Sequence, residues 1–464
     1  MNRFVDREAE LAALERDYAR PGASLFVLYG RRRLGKTTLL RRFAQGKPAL
    51  YHMADRATAT DARRLLAESL AAGLGEPTLR SSEFPDWYAL LAAYDRVRPA
   101  DGKAVLILDE YQYLCEQQAA FSSVIQRWWD EHWQHTPFML VLCGSVMSMM
   151  HRETMARSSP LYGRRTGQWL LAPLRFGDVR RLFPRLGPRA TLEMWALTGG
   201  VPRYAELAAA YPDFAAALRA LVLERDGPLY AEARFLLQDE VTTPNVYWSL
   251  LHAIASGVHR ISEIAGRLGT AASQLTRYLG ALQDMGLLRR IVPVTESDPA
   301  RSKRGIYQLA DPFLRLWYGC VAPYESLLEF GRVAEAERWM RERLTAHLAW
   351  AFEEACRQHA EDTAVRHGGV QVGRYWDKAT EIDVVGVDGK RRPVVAGECK
   401  WNTRPVDLAT AHELERKVQA TWPARAHAIH LRIYAAGGFT PAVRRWASQR
   451  NATLVSCDEL CDET

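Results

Sequence analysis

Cysteine is scarce in this chain, and no apolar run is long. Seven cysteines in 464 residues, odd in number and scattered, fit reduced thiols and exclude a disulfide framework. The longest uncharged stretch, residues 135–150 (HTPFMLVLCGSVMSMM), is too short and too polar for a span of about 20 apolar residues. No membrane crossing is therefore expected. The opening MNRFVDREAELAALERD has early acids and lacks the apolar stretch of about 7 to 15 residues that marks a secretory signal, so a cytoplasmic location is expected. Internal repeats and low-complexity tracts are absent too. What is there is ordinary globular material: 48% hydrophobic and 25% charged, enough to build cores and to exclude disorder or a collagen-like chain. One core cannot span this length, and roughly three domains are expected. Lys and Arg number 61 against 54 Asp and Glu, a net charge of +7. That balance favours an anionic partner, with nucleotide, nucleic acid and acidic lipid all open.

From residue 24 to about 172, short apolar runs (LFVLYG, ALYHMA, AVLILD, FMLVLCGS, QWLLAP) alternate with helical stretches. The runs are continuous rather than alternating, as in parallel strands buried on both faces, so residues 1–172 read as an α/β domain with a parallel sheet. Residues 173–240 read as a helical lid, interrupted at Gly199-Gly200-Val201-Pro202 before a long helical stretch from Arg203. Helical patterns at 245–257, 261–268 and 273–288, followed by LLRRIVPV and GIYQLA, predict a winged helix-turn-helix over 241–318. Residues 319–464 read as linker helices and a second α/β domain: a helix from about 343 to 360, strands VQVGRYW, EIDVVGV and PVVAGECKW, a helix from 407, the strand HAIHLRIYAA and a final helix.

The strongest motif is Gly30-Arg31-Arg32-Arg33-Leu34-Gly35-Lys36-Thr37. It fits G-x-x-x-x-G-K-[ST], directly after one predicted strand and before a helix. The glycines let backbone N–H groups wrap a phosphate, and the helix N-terminus adds positive potential. Lys36 would pair with the β and γ phosphates of ATP, and Thr37 would hold Mg²⁺, with Thr38 beside them. Downstream, the apolar run AVLILD ends in Asp109 and Glu110. Asp109 would order the Mg²⁺ shell, and Glu110 would polarise the attacking water. Ser145, after the next strand, could sense the γ-phosphate or be an ordinary turn residue.

With these motifs the chain resembles the AAA+ branch of P-loop ATPases, specifically a prokaryotic group with an F-x-x-R-E-x-E-L start, here Phe4-Val5-Asp6-Arg7-Glu8-Ala9-Glu10-Leu11. The resemblance covers roughly residues 1–240. It implies that the segment around Arg7 lies by the adenine and that the turn ending in Pro202 closes over the nucleotide. It also places a finger arginine at Arg164 or Arg165, reaching into a neighbouring subunit, which would require a homo-oligomer. A solvated arginine pair is the other reading.

A second candidate site lies near the end of the chain. Strand alternation puts Glu381 and Asp383 on one face, and Glu398 and Lys400 on one face with Cys399 behind. Asp383 and Glu398 would hold Mg²⁺ or Mn²⁺, and Lys400 would position water or neutralise a phosphate. Another E-x-K, Glu415-Arg416-Lys417, falls on a predicted helix and is set aside. The order of helix, strand, Asp383 strand and Glu398-x-Lys400 strand resembles the PD-(D/E)XK nuclease superfamily over roughly 340–464, which implies Glu353 as a helix carboxylate ligand. A solvent-facing salt-bridge cluster is the competing reading.

Both resemblances together are those of a prokaryotic family that joins an AAA+ ATPase, a winged helix and a C-terminal nuclease-like domain. Asp311-Pro312-Phe313-Leu314-Arg315-Leu316-Trp317-Tyr318 looks like its linker, though a buried aromatic helix is the physical reading. Ser273, Gln274, Thr276 and Arg277 on the third predicted helix, and Arg289, Arg290, Arg301, Lys303 and Arg304 on the wing, could contact DNA. The implied function is an ATPase that associates with DNA and cuts phosphodiester bonds, or an ATP-switched DNA-binding regulator whose nuclease-like domain is inactive. The tryptophans at 128, 129 and 133 read as core, and His132 and His135 as structure.

Overall fold

The computed structural model describes residues 5–118, 120–238, 240–241 and 243–461. Phe4, the first residue of the N-terminal motif, lies outside the described residues. The chain divides into two compact units, residues 1–173 and 174–464. Among the described residues no helix is long and apolar enough to cross a membrane.

In the first unit all five apolar runs form strands: β1 (Ser24–Tyr29), β2 (Ala49–Met53), β3 (Ala104–Asp109), β4 (Phe138–Gly144) and β5 (Gly167–Leu170). They pair only in parallel, in the order β2-β3-β4-β1-β5. Every residue of β3 and β4 is buried, which explains why their sequences do not alternate. Because the strands are parallel, their C-terminal ends share one edge, and this is where α/β sheets bind ligands. Gly30, Asp109 and Ser145 all lie there. Trp133 is fully buried and Trp128 and Trp129 nearly so. The indole N–H groups of Trp128 and Trp133 both donate to the Asp95 carboxylate, so this cluster is core.

The second unit opens with a helical turn at Phe176–Val179 and continues with the helices Pro188–Thr198, Pro202–Ala208, Phe214–Leu218 and Glu232–Gln238. The long helical stretch expected from Arg203 is thus broken, because Pro212 and Pro228 cannot donate the hydrogen bonds a helix interior needs. Three helices follow, Pro244–Ala255, Ile261–Leu268 and Ala272–Asp284, then an antiparallel pair, β6 (Leu288–Ile291) and β7 (Ile306–Leu309). The third helix stops short of residue 288 because Gly286 turns left-handed at φ 66°.

The expected aromatic linker is a buried turn and helix (Pro312–Leu316) with Phe313, Trp317 and Tyr318 inside. A 31-residue helix, Val333–Thr363, begins about ten residues before the expected start. Only Gly331, at φ 70°, interrupts the helix-forming sequence ahead of it. Last comes a five-stranded mixed sheet of β8 (Gln371–Trp376), β9 (Glu381–Val387), β10 (Pro393–Lys400), β11 (His430–Ala435) and β12 (Thr453–Ser456). Its order is β12-β11-β10-β9-β8. β8, β9 and β10 pair antiparallel, and β10, β11 and β12 pair parallel. Sequence reading did not find β12, a four-residue edge strand with one buried side chain.

Candidate functional site

β1 runs directly into the loop at residues 30–35. Gly30 cannot carry a side chain there, since a Cβ would stand 2.6 Å from the Leu171 carbonyl oxygen. Gly35 adopts φ 90° and opens the helix Lys36–Ala44, whose first N–H groups lack intrahelical partners. Lys36, only 6% exposed, donates from Nζ to the carbonyl oxygens of Gly30 and Arg31 at 2.6 and 2.9 Å. The ammonium is thereby held inside the loop on acceptors that an incoming phosphate can replace. Thr38 follows on the same turn, half-buried.

The sheet edge brings the two acids to this loop. Thr37 Oγ1 donates to Asp109 Oδ2 at 2.8 Å, and Tyr51 O–H donates to the same oxygen at 2.5 Å. Burial and the Asp109 charge raise the Tyr51 phenol above its ordinary value, so it stays a donor. Glu110 sits in the left-handed region at φ 54°, a conformation that costs a non-glycine residue about 1–3 kcal/mol and concentrates at functional sites. Its Oε2 accepts from Ser145 Oγ at 2.7 Å and from Gln112 Nε2. Asp109 therefore faces the loop threonine, while Glu110 is clamped to the end of β4. Tyr51 and Gln112 escaped sequence reading. Tyr51 reaches Asp109 only because β2 lies beside β3, and nothing local announces that neighbour.

Arg7 is buried and donates to Glu10 Oε1 at 2.9 Å, to the Leu34 carbonyl at 3.3 Å and to the Ala172 carbonyl at 3.0 Å. It ties the N-terminal helix (Glu8–Tyr18) to the loop backbone and to the end of β5. The arginine pair divides. Arg164 donates from Nε and Nη2 to both Asp130 oxygens at 2.7 Å, whereas Arg165 contacts Gln168. Arg164 is thus already committed to a bidentate ion pair.

In the second unit, Glu353, Asp383, Glu398 and Lys400 converge. Asp383 Oδ2 accepts the Cys399 N–H at 2.9 Å. Burial, then the charges of Glu353 and Glu398, push its carboxyl up to about 7. Glu398, 4% exposed, accepts from Lys400 Nζ on Oε1 and from Lys417 Nζ on Oε2, each at 2.8 Å. Burial opposes the Lys400 charge, but Glu398 outweighs it and the ammonium lies above its ordinary value. Lys417 comes from the E-x-K that the sequence reading set aside. The helix Leu408–Thr421 delivers it across the sheet face, which spacing within its own motif could not reveal. Glu381 is outside the cluster and pairs with Arg374. Among the described residues no group of three or more His, Cys, Asp or Glu is arranged to hold a metal.

The residues suggested for DNA also divide. Ser273, Gln274, Thr276 and Arg277 are exposed on Ala272–Asp284. The cations expected on a wing are mostly engaged: Arg289 with Glu354, Arg290 with the Pro299 and Ser302 carbonyls, and Arg304 with Glu296. Arg301, 91% exposed, stands 3.7 Å from Asp298. At the turn ahead of Pro202, a Cβ on Gly200 would stand 2.1 Å from the Leu174 carbonyl oxygen, and one on Gly199 would stand 2.9 Å from Asp311 Oδ1. Within the second unit the glycine pair therefore serves close packing, and Pro202 begins the helix Pro202–Ala208.

A phosphate-type loop after the first strand, a parallel five-stranded sheet and paired acids at its edge define the first unit as a P-loop ATPase domain. Residues 4–207 match the family described as an ATPase domain predominantly from Archaea, and residues 317–416 match a family of archaeal and bacterial proteins of unknown function. An uncharacterized protein of Methanocaldococcus jannaschii is 29% identical over 86% of this chain and 87% of its own length. An uncharacterized ATP-binding protein of the same organism is 50% identical over 10% of this chain and 75% of its own. Among solved structures, a Walker-type ATPase of Pyrococcus abyssi superposes with TM-score 0.52 at 21% identity, over 68% of this chain and 96% of that one. That likeness is one of fold.

Proposed function

We propose that the ATPase domain drives a DNA-acting enzyme whose second centre, at Glu353, Asp383, Glu398 and Lys400, cuts phosphodiester bonds. In this reading the chain binds ATP with Mg²⁺, through Lys36 at the phosphates and Thr37 and Asp109 at the metal shell, and Glu110 orients the attacking water. Residues 241–318 act as a winged helix-turn-helix that grips DNA through the exposed third helix, and residues 319–464 as a PD-(D/E)XK-like nuclease domain. The chain works as a homo-oligomer in which Arg165 is the finger, since Asp130 already holds Arg164.

The observation that carries the cutting site is the approach of Glu353, from the helix Val333–Thr363, to Asp383, Glu398 and Lys400 on β9 and β10, where burial first and the charges of Glu353 and Glu398 second push Asp383 up to about 7. Oxygen donors in negative excess suit a hard divalent cation. Asp383, Glu398 and Glu353 would have to draw closer to hold Mg²⁺ or Mn²⁺, since no three such groups among the described residues are arranged to hold a metal, and the ion would activate water and neutralise a phosphate when bound. A specific observation favours the second reading, a regulator without cutting activity. Both Glu398 oxygens are taken by lysines, so an ion must displace one of them.

Incubating supercoiled plasmid with Mg²⁺ or Mn²⁺, with and without ATP, separates the two. Cutting by the wild-type chain that Asp383→Ala abolishes is the expected result. Intact plasmid with both proteins establishes the regulator instead.

A further inference from the structure

The cations assigned to the wing do not all face outward. Arg289 and Arg290 line a cavity of about 510 Å³ in the second unit, together with Arg175, Arg357, Arg374 and Arg391. Four of these guanidinium groups have carboxylate partners, Arg175 in Glu361 and Asp362, Arg289 and Arg357 in Glu354, and Arg374 in Glu381. Glu354 accepts from both Arg289 and Arg357, so it is spent inside the wall. The charges of Arg290 and Arg391 are left over, since both donate to backbone carbonyls rather than to a carboxylate.

The arginines are also fixed in place. Arg290 donates to the Pro299 and Ser302 carbonyls at 2.8 and 2.6 Å, and Arg391 to the Val294 carbonyl at 3.0 Å. Arg391 stands in the left-handed region at φ 57°. The Val294 N–H donates in turn to the Arg374 carbonyl at 2.9 Å, joining the segment after β6 to β8. Each of these contacts uses part of a five-donor group.

We infer that this cavity is a binding site for a phosphate-bearing ligand of nucleotide size, separate from the P-loop. Rigid guanidinium forks match phosphate oxygens in bidentate geometry. The volume suits a small ligand or a strand end rather than a folded partner. Trp376, Ile291 and Val292 supply an aromatic and apolar wall against which a base can lie. The site does not depend on cutting at Asp383. Its phosphate can belong to a free nucleotide or to the end of a nucleic-acid strand.

The full-length Lys36→Ala chain removes the P-loop contribution and leaves this cavity as the site to be measured. Its titration with AMP, and with a short single-stranded DNA carrying either a 5′-phosphate or a 5′-hydroxyl, should give phosphate-dependent binding that weakens with salt. The 5′-hydroxyl strand should bind about tenfold more weakly or worse. Tighter binding of the phosphorylated strand than of AMP identifies a strand end as the ligand, and the reverse identifies a free nucleotide. Adding Arg374→Gln or Arg391→Gln should each weaken binding about tenfold at an unchanged unfolding midpoint. Absence of phosphate-dependent binding in the Lys36→Ala chain, or binding untouched by both glutamine variants, overturns the inference. Plasmid cutting is read separately, so failure here leaves the cutting proposal standing, and the reverse also holds.

Discussion

Lys36 Nζ rests on two backbone carbonyls inside the phosphate loop, so Lys36→Ala should remove measurable ATP retention in a filter-binding assay. Glu110 is held by Ser145 and Gln112 in a left-handed conformation that its replacement by glutamine can keep. Glu110→Gln should retain ATP while hydrolysis falls by about 10²- to 10⁴-fold, the usual contribution of a positioned general base. Normal turnover in both variants would remove these roles. At Asp383 the sign of the pH effect is set by a folded-state value above the ordinary one. Between 3.8 and about 7 the folded chain binds the extra proton, so stability falls as pH rises through that window. Asp383→Asn should therefore raise the melting temperature relative to wild type at pH above 7 and lose that advantage in acid. Thermal melts across pH would show it, and a parallel pair of curves would sink the assignment. Lys36 and Glu110 were legible in the sequence because each follows a strongly apolar strand, and Asp383 because strand alternation put it on one face of β9. Lys417 and Tyr51 were not, because each reaches its carboxylate from a neighbouring element.

Elements formed where local chemistry and pattern agreed. The five strands of the first sheet, the loop glycines and the exposed face of Ala272–Asp284 all follow from apolar runs, turn residues and helical spacing. Boundaries moved where a single residue intervened, as at Gly286, Pro212 and Gly331. β12 went unread because four residues with one buried side chain carry almost no period. The Gly199-Gly200 turn shows the same limit differently. Its sequence points to a nucleotide lid, yet the backbone contact at Leu174 alone requires glycine. Gly200→Ala should cost about 1–3 kcal/mol by overpacking, read as a lower denaturant midpoint. An unchanged midpoint would show that the turn yields freely.

At the scale of the whole molecule, the segments expected as lid, three-helix module and C-terminal domain pack into one unit of residues 174–464. The arginine pair supplies the test of assembly. Arg164→Ala should lower stability by breaking the Asp130 pair, whereas Arg165→Ala should slow ATP turnover by about 10³- to 10⁵-fold as the loss of a finger does. Sedimentation with ATP should show association of the chain. Equal turnover in the two variants would remove the finger. The sequence by itself determined the parallel sheet, the phosphate loop and its acids, because buried strands, glycine-dependent backbone and a helix start are written in contiguous residues. Only the tertiary structure decided which charges meet. It put two lysines on Glu398, turned Arg289 and Arg290 toward a cavity and split Arg164 from Arg165, since ion pairs across elements depend on strand order and helix placement rather than on spacing along the chain.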